Sequence, residues 1–395
     1  MSANRKRILF IASQPYMEWR GSPIRVSFNM RALSELGYDV DLLTLPFGKD
    51  HETPHVRVIR VGNVPGCTGV PIGPSIWKLF FDAKLWWRAR RLIKEQPYDV
   101  IHAVEDAGFI AVSLARLSGA QLIFEKHSDP GSYRKKRLRN IVMWAYGKVE
   151  AYTIRKADAV IGTGPGLGAQ AQRIAPDKPC HHIFDIPSSL AVSDPEKTAL
   201  LRGELSRHAD EVLITYVGSF AVYQGIDLLF NAIPEVVRRA AQARFIIIGG
   251  TETEIDEYRQ LLTAQKVDHA VTFLGKLSPD ELPNYLAATD ILLSTRLAGT
   301  NTPLKLLDYL KAGRCIIATD NEANRQILDD QSALLVQPDA SALAAGVCAL
   351  VADPARREAL AAQGHERVRQ TYNYDEFKCR LGRVYAGQRD RNSIE

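Results

Sequence analysis

Short apolar runs alternate with longer stretches of helical period over almost the whole chain. In the first half the runs at 8–12, 39–43, 56–61, 100–103, 121–125 and 159–162 are predicted as strands, and helical patterns at 24–36, 77–95 and 138–156 separate several of them. In the second half predicted strands at 212–217, 243–248, 271–274, 291–294 and 315–319 alternate with helical patterns at 225–240, 254–265, 278–287 and 303–311. Continuous apolar strands joined by helices imply parallel sheets covered on both faces. The fold class predicted is α/β, with two doubly wound, Rossmann-like domains facing a central cleft. Ligands in such sheets bind beyond the carboxyl ends of the strands. The site is therefore expected on loops of both halves.

A chain of 395 residues is long for one domain. Polar, proline-bearing segments at Ile186-Pro187-Ser188-Ser189 and Ser193-Asp194-Pro195-Glu196 suit a linker. The expected division is 1–190, 191–360 and a helical tail over 361–395. The tail is anchored by Tyr372, Tyr374, Phe377, Leu381 and Tyr385 and expected to pack back on the first domain.

Composition changes this picture little. The sequence is 46% hydrophobic and 24% charged, which excludes a disordered chain. Its five cysteines are scattered with no CxxC pair, so neither a disulfide framework nor a zinc site is expected, and a reducing cytoplasm fits. No segment approaches the roughly 20 apolar residues of a membrane span. Charge is uneven. Residues 1–190 hold 27 Lys and Arg against 17 Asp and Glu, while the remainder is acidic. That asymmetry suggests an anionic partner for the first half.

The most informative segment runs Ser294-Thr-Arg-Leu-Ala-Gly-Thr-Asn-Thr-Pro-Leu-Lys-Leu-Leu-Asp-Tyr-Leu-Lys-Ala-Gly313. It reads as a buried strand, a polar loop and a helix, with Thr302 as N-cap, Pro303 as first helical residue and Gly313 as stop. Free amides at that helix start favour an anion such as a diphosphate. Lys305 adds a point charge suited to phosphate. Asp308, three residues on, could accept ribose hydroxyls. The plainer alternative is a capped helix with a Lys–Asp surface pair.

This segment resembles family 4 of the retaining glycosyltransferases, which have the GT-B fold. The family's frame, a Glu, seven residues and a second Glu, falls here on Thr300 and Asp308. The resemblance implies that Asp308 holds the nucleotide ribose. Thr300, in place of the Glu that contacts the transferred sugar, leaves that sugar's identity open. The best diphosphate ligands are then the amides around Asn301, Thr302 and Leu304 and the Lys305 side chain. Tyr216-Val-Gly218-Ser219-Phe-Ala-Val-Tyr-Gln224-Gly225 resembles the family's first strand, glycine loop and helix of the donor domain. Ser219 and Gln224 stand where the family has Arg and Lys, which moves weight onto Lys305. After a third strand, Lys276 and Leu277 fill the positions whose backbone reads the nucleotide base. A Gly-rich βα turn without ligand remains the alternative at Gly218.

In the first half, Trp19-Arg-Gly21-Ser22-Pro-Ile-Arg25 resembles the family's glycine loop beneath the transferred group, and Gly21 and Ser22 can approach a phosphate or acceptor. His127 follows a strand end, where the family has a His against the donor sugar, and is assigned with Lys305 to catalysis. His102 and Glu105 follow another strand and are placed on the acceptor side. Gly162-Thr-Gly-Pro-Gly-Leu-Gly168 fails the dinucleotide spacing and reads as a helix start after a strand. His181-His182 lacks companion metal ligands. Arg134-Lys-Lys-Arg-Leu-Arg139, with Trp144, Trp86-Trp87-Arg88 and Arg90-Arg91, is either a solvated face or a contact with anionic lipid.

The function expected is retaining transfer of a sugar from a nucleoside diphosphate sugar to a hydroxyl of a glycan or lipid-linked acceptor. No metal, other cofactor or nucleic acid is expected, and the place of action would be the cytoplasm, at the inner face of the membrane. With no nucleophilic carboxylate pair evident, the protein would position the reactants and stabilise the leaving diphosphate in a front-face displacement. Two alternatives stay open: a GT-B sugar-nucleotide epimerase, and a non-catalytic GT-B binding protein.

Overall fold

The computed structural model describes residues 5–18, 21–49, 51–70, 75–128, 137–298 and 302–387, with backbone alone at 76, 137–142 and 165. Two compact units emerge. Unit 1 runs to Asp185 and takes back the segment from Tyr374; unit 2 is Ile186–Asn373. The boundary thus comes a few residues before the expected 190. The helix ending at Thr371 belongs to unit 2, whereas the sequence pattern put 361–395 in the tail.

In unit 1 the strands are β1 (Arg7–Ala12), β2 (Asp39–Thr44), β3 (Val56–Arg60), β4 (Val100–Val104), β5 (Gln121–Lys126), β6 (Ala159–Gly162) and β7 (Cys180–His182). Its first helices are α1 (Gly21–Glu35), α2 (Ile76–Glu95), α3 (Ala107–Ser118), α4 (Arg137–Lys156) and α5 (Pro165–Ile174). Among the described residues they form one parallel sheet of order β3-β2-β1-β4-β5-β6-β7. β4 is buried along its whole length and β1 all but its first residue, as expected of strands covered on both faces. Leu9, Ile11, Phe81, Leu85, Ile101 and Phe124 fill one side.

Unit 2 contains α6 (Pro195–Leu205), β8 (Val212–Val217), α7 (Ile226–Arg239), β9 (Ala243–Ile248), α8 (Glu252–Ala264), β10 (Val271–Gly275), α9 (Leu282–Ala287), β11 (Ile291–Ser294), α10 (Leu304–Lys311), β12 (Cys315–Thr319), α11 (Glu322–Arg325), β13 (Leu334–Val336), α12 (Ala340–Ala352) and α13 (Pro354–Thr371). Its parallel sheet has the order β10-β9-β8-β11-β12-β13. α7 turns Ile226, Leu229, Phe230, Ile233 and Val236 onto that sheet, an apolar stripe at helical spacing. The last helix, α14 (Tyr374–Tyr385), closes unit 1. It buries Phe377, Leu381, Val384 and Tyr385 and packs on α1, with Lys378 Nζ donating to Glu35 at 2.9 Å.

Each sheet reverses its strand order once, between β1 and β4 and between β8 and β11. The turns flanking such a reversal diverge and leave a crevice, where doubly wound sheets hold ligands.

Three local expectations need correction. α1 starts at Gly21, so Gly21 and Ser22 form the first turn of a helix, not a loop; Trp19 and Arg20 lie outside the described residues. α10 starts at Leu304 with Pro303 in the N-cap position, not Thr302. Proline's fixed φ suits either place, and the Thr302 hydroxyl donates to Gln326 instead, at 3.3 Å. His102 is no acceptor-side residue: it lies inside β4, fully buried and stacked on Phe10 at 4.2 Å. Of the glycines in 162–168, Gly162 and Gly168 serve packing. A Cβ on Gly168 would collide with the His182 ring, and one on Gly162 would stand 2.6 Å from the Gly168 amide nitrogen.

Candidate functional site

At the crevice of unit 2 the chain leaves β8 at Val217, passes Gly218, runs through a short turn and enters α7 after Gly225. Gly225 has φ 67°, and a Cβ there would strike the Thr295 carbonyl, so this close crossing admits only glycine. The turn after β11 is stitched to it. Thr295 Oγ1 donates to Gln224 O at 2.8 Å, and the Leu297 amide donates to Tyr223 O at 2.9 Å. Neighbouring turns are tied in as well: the Gly218 amide donates to Ile248 O at 3.0 Å and the Gly249 amide to Gly275 O at 2.6 Å.

α10 enters this crevice. The amides of Leu304 and Lys305 have no hydrogen-bond acceptor among the described residues, as first-turn amides lack one within their own helix. The Lys305 ammonium reaches back across the Tyr216 ring, 4.6 Å from its centroid. It donates to Gln224 Oε1 at 3.2 Å and lies 3.5 Å from Val217 O. No carboxylate among the described residues pairs with it. Burial, reinforced by the positive charge of Arg296, brings this ammonium down to about 7. Arg296 follows β11, is 8% exposed and donates through Nε to Ala298 O at 2.9 Å. Among the described residues these two cations have no carboxylate partner and the first-turn amides of α10 no acceptor, an arrangement whose electrostatics favour an anion.

The remaining donor-side residues are dispersed. Asp308 makes no pair with Lys305. Its Oδ1 accepts from the Ser188 amide at 2.7 Å and its Oδ2 from the Ser188 hydroxyl at 2.6 Å. Burial pushes this carboxyl up to about 6 against those hydrogen bonds. Each oxygen keeps a further acceptor position. Ser219 is exposed, and its carbonyl accepts from Tyr216 Oη at 2.9 Å. Gln224 stands as a neutral prop for Lys305. Lys276 is exposed after β10, and Leu277 packs on Leu205, Leu213, Ile246 and Ile248. Thr300 and Asn301 lie outside the described residues.

In unit 1, Glu125 near the end of β5 is fully buried and is the hub of a polar net. It accepts from Arg25 Nε, from Asn29 Nδ2 at 2.8 Å and from His102 Nε2 at 2.9 Å. Burial alone would raise its pKa, but the Arg25 guanidinium, with His102 and His127, outweighs that and holds it well below the carboxylate range. Tyr385 of α14 completes the net, 2.7 Å from His102 Nδ1. The His127 ring is held between Ser22 Oγ, hydrogen-bonded to Nδ1, and Glu125 Oε1, 3.2 Å from Nε2. The structure therefore brings Ser22 and His127 together. Glu105, with φ 49°, accepts from the Ser128 hydroxyl at 2.7 Å. A non-glycine residue held at positive φ is strained backbone of the kind that clusters at functional sites. Beside it, Asp106 accepts from Lys78 and Tyr146, and Asp82 accepts from Ser13 at 2.7 Å.

Sequence reasoning passed over Glu125 and Arg296. An acid inside the apolar run Leu-Ile-Phe-Glu-Lys was the available signal for Glu125, because a buried carboxylate needs partners. Nothing in the sequence distinguished Arg296 from a surface arginine.

The family model for glycosyl transferases group 1 matches residues 211–353, and that for a glycosyl transferase 4-like domain matches residues 21–183. This chain belongs to the group 1 glycosyltransferases. It is 22% identical over 360 residues to a phosphatidyl-myo-inositol mannosyltransferase of Mycolicibacterium smegmatis, covering 89% of this chain and 86% of that protein. It is 25% identical to an alpha-D-kanosaminyltransferase of Streptomyces kanamyceticus, over 70% of this chain and 74% of the relative. Among solved structures, sucrose-phosphate synthase of Thermosynechococcus elongatus superposes with a TM-score of 0.79 at 23% identity, covering 97% of this chain and 99% of the other. HepE of Anabaena, solved in complex with UDP and glucose, gives 0.73 at 16% identity, covering 97% and 100%. The GT-B fold expected of this transferase is the one found. Membership decides for a glycosyltransferase, an enzyme, over the epimerase and the non-catalytic protein.

Proposed function

We propose that this transferase moves a sugar from a nucleoside diphosphate sugar to an acceptor hydroxyl, with retention of configuration. The observation that carries this is the Lys305 ammonium, without a carboxylate partner among the described residues, beside the first-turn amides of α10 at the strand-order reversal of unit 2. A diphosphate supplies the missing negative charge. As the glycosidic bond breaks, charge accumulates on the leaving diphosphate, and fixed positive groups stabilise that state more than the ground state. Asp308 turns one carboxylate oxygen to the ribose. Within unit 1, Ser22, His127 and Glu105 are the residues assigned to the transferred sugar and acceptor. HepE binds UDP, as its complex states, and the mycobacterial relative is named for a lipid acceptor; both fit this scheme.

The acceptor proposed is glycan or lipid-linked, reached at the inner, cytoplasmic face of a membrane. In unit 1, α2 exposes Leu79, Phe80 and Trp87 ahead of Arg91 and Lys94, and α4 exposes Trp144, Lys148 and Tyr152. α3 lies between them and adds Phe109 and Leu117. Exposed aromatics beside cations suit an anionic lipid surface. No helix among the described residues is long and apolar enough to cross a membrane.

Thermal denaturation with UDP, GDP, ADP and TDP tests the donor proposal. One of them at about 100 times its Kd should stabilise the chain by about 2.7 kcal/mol. Absence of any shift with all four at millimolar concentration would remove the proposal.

A further inference from the structure

We propose that Arg296 is a phosphate ligand of this transferase, forming with Lys305 a two-cation clamp that distinguishes a diphosphate from a monophosphate. This rests on the nucleotide-sugar scheme above and adds to it a residue and a selectivity.

The placement of Arg296 follows from its neighbours. Thr295 is tied to Gln224 and Leu297 to Tyr223, so the chain on either side of Arg296 is pinned to the turn after β8. Its backbone carbonyl is fixed too, accepting from Asn321 Nδ2 at 2.7 Å and from the Thr319 hydroxyl. With the backbone held on both sides, the side chain returns across the Tyr223 ring, its Cζ 6.0 Å from the centroid. The guanidinium is thus carried to the same turn that Lys305 reaches through Gln224.

Two positive groups here face one turn, one from the stretch after β11 and one from α10. An arginine with 8% exposure is normally paired with a carboxylate. Among the described residues Arg296 has none, and neither does Lys305. Burial lowers the pKa of Arg296, and its charge in turn depresses that of Lys305. The protein therefore tolerates a like-charge repulsion that any bridging dianion relieves. A planar guanidinium offers paired N–H groups to one phosphate, and the ammonium serves the second as a point charge. Ser219 and Gln224, on the turn itself, carry no charge. The cations that would otherwise sit there are supplied from α10 and from the stretch after β11.

The test uses the full chain and isothermal titration calorimetry. UDP, GDP, ADP, TDP, their monophosphates and inorganic pyrophosphate are titrated into wild type, and the tightest nucleotide pair is carried into Arg296→Gln. The diphosphate should bind about tenfold or more weakly to the variant, as for loss of a charge-assisted contact. The monophosphate should lose less than about threefold, since it spans only one cation. The midpoint of the pH dependence of diphosphate binding should move upward, because removing Arg296 relieves Lys305. Lysine in place of arginine should retain part of the affinity, and Ser219→Arg added to Arg296→Gln should recover diphosphate binding. Diphosphate affinity within about twofold of wild type, or equal losses for mono- and diphosphate, would overturn the clamp while leaving the nucleotide-sugar scheme in place. A wild-type chain that binds none of the nucleotides would overturn both.

Discussion

In unit 2 the turns flanking the strand-order reversal gather Lys305 and Arg296 with no carboxylate partner among the described residues, whereas in unit 1 the acids Asp106 and Glu125 are met by the cations Lys78 and Arg25. The topology is shared; the electrostatic balance is not. A net whose charges are already matched resists change and holds shape. A site with unmatched charge is complete only when a ligand arrives. The first half carries the larger positive charge in sequence, and among the described residues Arg91, Lys94, Lys148 and Arg155 of that half lie on exposed helix faces. Bulk charge and local charge point to different partners, and the local one decides where a diphosphate binds.

The comparison breaks most visibly at Glu125. Glu125→Gln removes one of the two carboxylates on the buried Arg25 guanidinium, which keeps Asp185 Oδ1 at 2.9 Å, and should cost about 1.5–3 kcal/mol of stability, measured by urea denaturation. An unchanged midpoint would mean that the net of unit 1 is not balanced as described. Lys305→Gln should behave in the opposite way. The unliganded chain keeps or gains stability, because an uncompensated buried charge is removed, while turnover falls about ten- to a hundredfold for a lost contact of ~1.5–3 kcal/mol. Loss of stability together with unaffected turnover would reverse the assignment.

pH sharpens the same contrast. Free Lys305, faced by Arg296 and the Tyr216 phenol, titrates at about 7. Diphosphate affinity should be full below that pH and fall above it, by up to about tenfold per unit, with this component absent in Lys305→Gln. Between about 7 and the ordinary lysine range the unfolded chain binds this proton and the folded one does not, so unliganded stability contributed by Lys305 rises with pH there. Calorimetry and urea denaturation across pH 6–9 measure both slopes.

The smallest effect concerns Asp308. Its folded value is about 6, so the unfolded chain ionises it first. The resulting contribution to stability is present below about pH 4 and is lost as pH rises to about 6. Asp308→Asn should therefore raise the melting temperature by about 2 °C or more at pH 7 and little at pH 4, while lowering turnover. A variant destabilised at pH 7 would show that the Ser188 contacts favour the carboxylate outright.

Much of the fold could be read from the chain because its strands are continuous apolar runs. β8, β9 and β11 have the predicted bounds. β7 and β13 went unnoticed, since three residues carry no periodicity and their pairing is set by the strand beside them. Gly313, at φ 62°, ends α10 as the sequence indicated. The helix starts were harder. Pro303 and Gly21 suit both loop and first turn, and tertiary contacts choose. Lys305 was legible because a lysine just inside a helix start has a chemical use. Glu125 and Arg296 depend on which turns meet across a sheet edge, and no local pattern records that.

The most direct measurement is a structure of the chain bound to the nucleoside diphosphate selected by thermal denaturation. A phosphate oxygen within hydrogen-bond distance of Lys305 Nζ, about 3 Å, and another on the free amides of Leu304 and Lys305, is the predicted result. A diphosphate bound elsewhere, with Lys305 still resting on Gln224 and Val217, would contradict the account.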